Sequence, residues 1–146
     1  MPIGPEEQSW FATQRALVEE YLKRQRLDHR GVARFPSFHV FPQLALWAVQ
    51  SRLNPGTAGW WAISGDLPAD VIPRAPIAEP RDALRQFSER WREIAVYMKR
   101  GELHPHTTMG PPEKWLELAP LLHSRASAVM FLAEDEALWD GSTDQD

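Results

Sequence analysis

Apolar residues recur near helical spacing early in the chain, at Trp10, Phe11, Leu17, Val18, Tyr21 and Leu22, while Glu19, Glu20, Lys23 and Arg24 keep the other side polar. This pattern predicts a helix over residues 6–25. Residues 28–31 read as a turn. The run Phe35-Pro36-Ser37-Phe38-His39-Val40-Phe41-Pro42 carries two prolines, which argue against a helix. Extended, it sends Phe35, Ser37, His39 and Phe41 to one side and Phe38 and Val40 to the other.

Two short apolar runs follow, residues 44–50 and 59–64, separated by Asn54-Pro55-Gly56. That separator is a strong turn signal, so the runs predict a hairpin with a loop over about 51–58. Both faces of both strands are largely apolar, so the sheet needs cover on two sides. Trp60 and Trp61 are adjacent and must point to opposite faces of a strand. Gly65-Asp66-Leu67-Pro68 ends the second run, and a proline-dotted connection follows through Pro73, Pro76 and Pro80.

The clearest amphipathic segment spans residues 81–100. Leu84, Phe87, Trp91, Ile94 and Met98 form one apolar stripe, and Arg85, Glu89, Arg92 and Glu93 lie mainly off it. Pro80 and Asp82 suit the helix start, and Lys99-Arg100-Gly101 suits its end. After Gly110-Pro111-Pro112, a short helix is expected to carry Trp115 and Leu116. A longer one is expected over residues 120–133, burying Leu121, Leu122, Val129 and Leu132. Leu138 and Trp139 would clip the end back onto the core. The prediction is an α+β fold: a small, mostly antiparallel sheet packed with three main helices, in one domain over residues 1–139. Residues 140–146 form an acidic tail expected to be disordered.

Composition narrows the function classes. The 146 residues suit one domain of ordinary size, and 43% apolar with 25% charged residues is ordinary for a globular chain. No cysteine is present, which removes disulfides, thiolate metal sites and cysteine nucleophiles. The N-terminus lacks the basic and apolar regions of a signal peptide, so a cytoplasmic location is expected. The net charge is −4, with no basic stripe for phosphates. Neither nucleic acid nor membrane is therefore expected as a partner. The negative excess gathers in Glu134-Asp135-Glu136, Asp140, Asp144 and Asp146, which would suit a protein partner with a basic surface.

Known catalytic patterns fail one by one. Phosphate-cradling loops are absent, and Ser64 lacks the flanking glycines of a nucleophile elbow. His104-Pro105-His106 is the most metal-like cluster, with Asp66, Asp70 or His39 as conceivable third ligands. Two loop histidines are a polar turn in most proteins, so neither a metal nor a cofactor is expected. Asp66 and Asp70 could work as an acid–base pair, but Pro68 between them opposes helical spacing. A local turn bond for Asp66 and a cap for Asp70 is the plainer reading. His39 reads as a core-edge histidine, and His29 and His123 as surface residues. Seven tryptophans are many for this length, and either Trp60 or Trp61 could line a partner interface.

Several segments resemble an uncharacterised bacterial family, domain of unknown function 4826. They are Gly59-Trp60-Trp61-Ala62-Ile63-Ser64-Gly65-Asp66-Leu67-Pro68, Pro80-Arg81-Asp82-Ala83, Glu89-Arg90-Trp91, Tyr97-Met98-Lys99-Arg100-Gly101-Glu102 with His104-Pro105, Leu121-Leu122 with Ser124-Arg125-Ala126, and Leu138-Trp139. The resemblance covers roughly residues 43–139. It implies a bacterial domain and assigns neither a reaction nor a catalytic residue. Two functions stand: a non-catalytic protein-binding protein of the inhibitor or immunity type, or a small enzyme or ligand- or metal-binding domain with a site near Asp66, Asp70, His104 and His106. The candidate binding residues are Trp60, Trp61, Asp66, Asp70, His104 and His106.

Overall fold

The computed structural model describes residues 4–54, 56–105, 107 and 109–143, without the side chains of 140–143. The order is α1 (Pro5–Arg24), β1 (Gly31–Val32), β2 (Phe38–Val40), β3 (Leu44–Gln50), β4 (Ala58–Gly65), β5 (Asp70–Pro73), α2 (Pro80–Arg100), a 3-10 turn (Pro112–Lys114), α3 (Trp115–Glu134) and α4 (Glu136–Thr143). These elements make two compact units that divide between Pro80 and Arg81. The α+β class holds. None of the helices, among the described residues, is long and apolar enough to cross a membrane.

In the first unit every strand pair is antiparallel, in the order β1-β3-β4-β5, with β2 also paired to β3. The predicted hairpin is β3 and β4, paired from Leu44↔Gly65 to Gln50↔Ala58. Three strands go beyond the expected hairpin. Strands β1 and β2 share one edge of β3, and the Ala33 and Ser37 amides extend their ladder to Ala48 and Leu46. Pro36 lacks an amide hydrogen and lies between them, which keeps each piece too short to read as a strand. The proline-dotted connection contains β5, which sits at the opposite edge, where a terminal Pro73 is tolerated.

Helix α1 starts with Pro5 at its first position and acidic Glu6 and Glu7 in its first turn, and it ends with Lys23 and Arg24. Its buried stripe is Phe11, Gln14, Val18 and Leu22, while Leu17, expected on that stripe, is half exposed. Phe11, Val18 and Leu22 pack against Val32, Ala45, Trp47, Val49 and Ala62 on one face of the sheet. Arg15 fastens the helix to the edge strand by donating to the Val32 and Ala33 carbonyls at 2.8 and 3.0 Å. Buried Trp47 donates its indole N–H to Ser64 Oγ at 3.1 Å, so these two polar groups are matched inside the core. Leu44, Leu46, Trp61 and Ile63, of the other sheet face, are buried too.

In the second unit the α2 stripe Leu84, Phe87, Trp91, Ile94 and Met98 is buried as predicted. It runs antiparallel to α3: Ser88 Oγ donates to the Ala126 carbonyl at 2.7 Å, and Arg81 Nε to the Ala133 carbonyl at 2.7 Å. A Schellman motif ends α2, with Gly101 at φ 71° and the Glu102 amide bonded to the Tyr97 carbonyl. Two helices were predicted where α3 is one, with Pro120 inside it. The amide that proline lacks would have reached the carbonyl of Leu116, on the exposed side where water can take its place. The α3 stripe is Trp115, Ala119, Leu122, Ala126, Val129 and Ala133, which leaves Leu121 half exposed rather than buried. Trp139 in α4 bonds back to the Leu132 carbonyl at 3.1 Å. Residues 140–143 close α4, and 144–146 lie outside the described residues.

Candidate functional site

The first unit holds four of the six candidate residues. Trp61 is buried on one side of β4, donates its indole N–H to the Ile77 carbonyl at 2.8 Å and lies under the Arg74 guanidinium at 5.4 Å. Trp60 is half-buried and packs at the margin of the α1 core. Asp66 and Asp70 flank the turn from β4 to β5. Asp66 is exposed, and its amide donates to the Gln43 carbonyl at 2.9 Å. Asp70 is buried, and its Oδ1 accepts from the Val71 amide at 2.9 Å and from the Tyr21 hydroxyl at 3.5 Å. The two carboxylates thus differ in surroundings. One faces water, and the other fastens the start of an edge strand to α1.

This turn is also where the backbone is tightest. Gly65 has φ 130°, and a Cβ there would lie 2.2 Å from the Gln43 carbonyl oxygen. The close approach brings the β3 entry against the β4 exit, which sets Asp66 and Leu67 in place.

In the second unit His104 is half-buried, with its side chain 6% exposed. It pairs through Nε2 with a Glu93 carboxylate oxygen and meets the Tyr97 ring edge-on at 5.0 Å. The Thr107 amide donates to its Nδ1 at 3.3 Å. With Nδ1 accepting from the Thr107 amide, Nε2 is the donor to Glu93. These contacts tie the segment after α2 back onto the helix. His106 lies outside the described residues. Among the described residues, no group of three or more His, Asp or Glu side chains is placed to hold a metal ion. His39, in the first unit, bonds Glu7 at 3.1 Å and packs edge-on against Phe11.

A feature unread from the sequence lies along the α2–α3 pair. Two surface depressions open there. One, of about 630 Å³, is lined by Ala95, Val96, Lys99, Leu116, Pro120 and His123 among others. The other, of about 510 Å³, includes Arg92, Met130, Phe131 and Glu134. Leu116 is 77% exposed and Phe131 72%. The signal was available: both lie off the α3 stripe on a helical wheel.

The acidic run beside Phe131 is already engaged. Arg85 donates to both Glu134 oxygens, at 3.2 and 2.8 Å, and to Asp82 at 3.0 Å. Arg81 donates to Glu136 at 2.7 Å and lies over the Trp139 ring. The Arg85 hydrogen bonds hold the Glu134 carboxyl below its ordinary value. Arg81 and Arg85 thus clasp the end of α3 to the start of α2.

The family described as Domain of unknown function (DUF4826) matches residues 5–139. The match spans most of the chain, and the chain belongs to this family. No curated protein and no solved structure matches it.

Proposed function

Taking membership of a family with no assigned activity as the starting point, we propose that this protein acts by binding another protein, in an inhibitor or immunity-type role in a bacterial cell. The observation that carries this reading is the grooved α2–α3 face, with Val96 and Leu116 exposed at one depression and Phe131 at the other. Such a surface suits the apolar face of a partner helix, read at helical spacing. The exposed aromatic and aliphatic side chains supply anchors, which carry most of the energy of protein association. Glu134 and Glu136 beside Phe131 suit a basic margin on that partner helix. Arg81 and Arg85 already offset much of their charge, so electrostatics would tune encounter more than affinity.

The test is affinity capture with the wild-type chain and with the double variant Leu116→Asp/Phe131→Asp. Both positions are exposed, so the double variant is expected to fold with stability within about 1 kcal/mol of wild type. The expected result is one stoichiometric protein partner held by the wild type and lost from the double variant. Capture of no protein by the wild type, or equal capture by the folded variant, would reject the reading.

A further inference from the structure

A further depression, in the first unit, has different chemistry. It measures about 410 Å³ and lies between the β3–β4 turn and the segment after β5, with Ser51, Asn54, Thr57, Gly59, Arg74 and Pro76 among its lining residues. Arg74 is the only charged side chain among the described lining residues. Its backbone is fixed, because its amide donates to the Gly59 carbonyl at 3.0 Å. Its guanidinium carbon lies 5.4 Å from the Trp61 ring centroid, a cation–π contact, and one terminal nitrogen donates weakly to the Ala78 carbonyl at 3.3 Å. The Nε–H is buried and has no hydrogen-bond partner. A buried, unmade bond to a charged donor is costly, and such a donor calls for an acceptor.

We propose that this depression binds a small oxyanion, the carboxylate or phosphate group of a small ligand, on the Arg74 guanidinium. Three features support it. The contact with the Trp61 ring keeps the guanidinium at the depression, and its planar fork matches an oxyanion through two parallel N–H bonds. A lone cation in a concave site, without a lining carboxylate among the described residues, focuses positive potential there. The rim is polar, and Ser51 accepts a bond from the Asn54 amide at 3.2 Å, which leaves its hydroxyl proton available to a ligand. The volume fits a ligand of metabolite size. A small shift of the side chain would bring Nε and one terminal nitrogen onto the anion together, and the missing bond would be made. This site is independent of the α2–α3 face.

The experiment is titration of the isotope-labelled full chain with inorganic phosphate and, separately, with succinate, followed by amide chemical shifts. The expected result is saturable shifts for one or both anions at the Asn54, Thr57, Gly59 and Arg74 amides. Phosphate saturating at lower concentration than succinate would assign a phosphate ligand, and the reverse a carboxylate. Arg74→Gln should weaken binding by about tenfold or more, and Arg74→Lys should recover little, because an ammonium lacks the fork. Linear shifts with both anions in the wild type would overturn the proposal, whatever the variants do. So would saturable shifts that persist unchanged in a folded Arg74→Gln protein.

Discussion

At the residue scale, two backbone positions carry opposite consequences. Gly65 sits where a side chain would strike the Gln43 carbonyl, and that oxygen belongs to backbone and cannot turn aside. Gly65→Ala is therefore expected to lower unfolding stability by more than about 2 kcal/mol, as read from urea denaturation. A variant of wild-type stability would mean that the β3–β4 end tolerates a wider gap. Arg26 is the reverse case. It holds φ 56° in the turn that ends α1, where its amide and that of Leu27 bond the Lys23 and Leu22 carbonyls. Its side chain is exposed, so little packing is at stake. Arg26→Gly should raise stability by about 1 kcal/mol, seen as a higher denaturation midpoint with unchanged slope. No gain would show that the arginine compensates its own strain.

At the scale of elements, the Arg81–Arg85 clasp on the end of α3 makes a prediction with a sign. The Glu134 carboxyl is held below its ordinary value of 4.5, first by the Arg85 hydrogen bonds. A depressed carboxylate contributes stability that is complete above the unfolded value and is lost as pH falls through the folded value. The stability lead of the wild type over Arg85→Gln should thus be present near neutrality and close below pH 4.5. A lead that stays constant through the acid limb would show that Arg85 acts by packing alone. How much the sequence revealed also differs by element. Helix α2 was readable because its stripe is continuous and its ends carry the expected proline, charges and glycine. Strands β3 and β4 were readable because a turn signal separates two apolar runs. Strands β1 and β5 were not, and β2 only as extended chain, since each is two to four residues long and depends on β3 or β4 for its hydrogen bonds. Pro120 read as a helix start, because a sequence does not reveal that the bond lost to proline faces water.

The candidate site was less readable for a related reason. Trp61 stood out as an interface candidate and Asp70 as one of an acid–base pair or a cap, and only the fold shows the bonds each makes. Leu116 and Phe131 looked ordinary because apolar residues on a helix are assigned to the core by default. Arg74 lay in a connection with no pattern, and only the turn of the chain sets it over Trp61.

At the scale of the whole molecule, the family match runs from residue 5 to 139 without respecting the division at Pro80 and Arg81. Two units inherited as one stretch are expected to unfold together. Denaturation followed by far-ultraviolet dichroism and by a probe confined to one unit should give coincident transitions. Two separated midpoints would instead make the units independent domains.

The distribution of the indoles turns this protein into its own optical instrument. Trp47, Trp61, Trp91 and Trp115 are buried, and Trp10, Trp60 and Trp139 are partly open. Native emission should accordingly be blue-weighted, with a fraction that acrylamide cannot reach. Because Trp61 lies beneath the Arg74 guanidinium, an anion settling on that arginine would alter the light from a ring that the quencher leaves untouched.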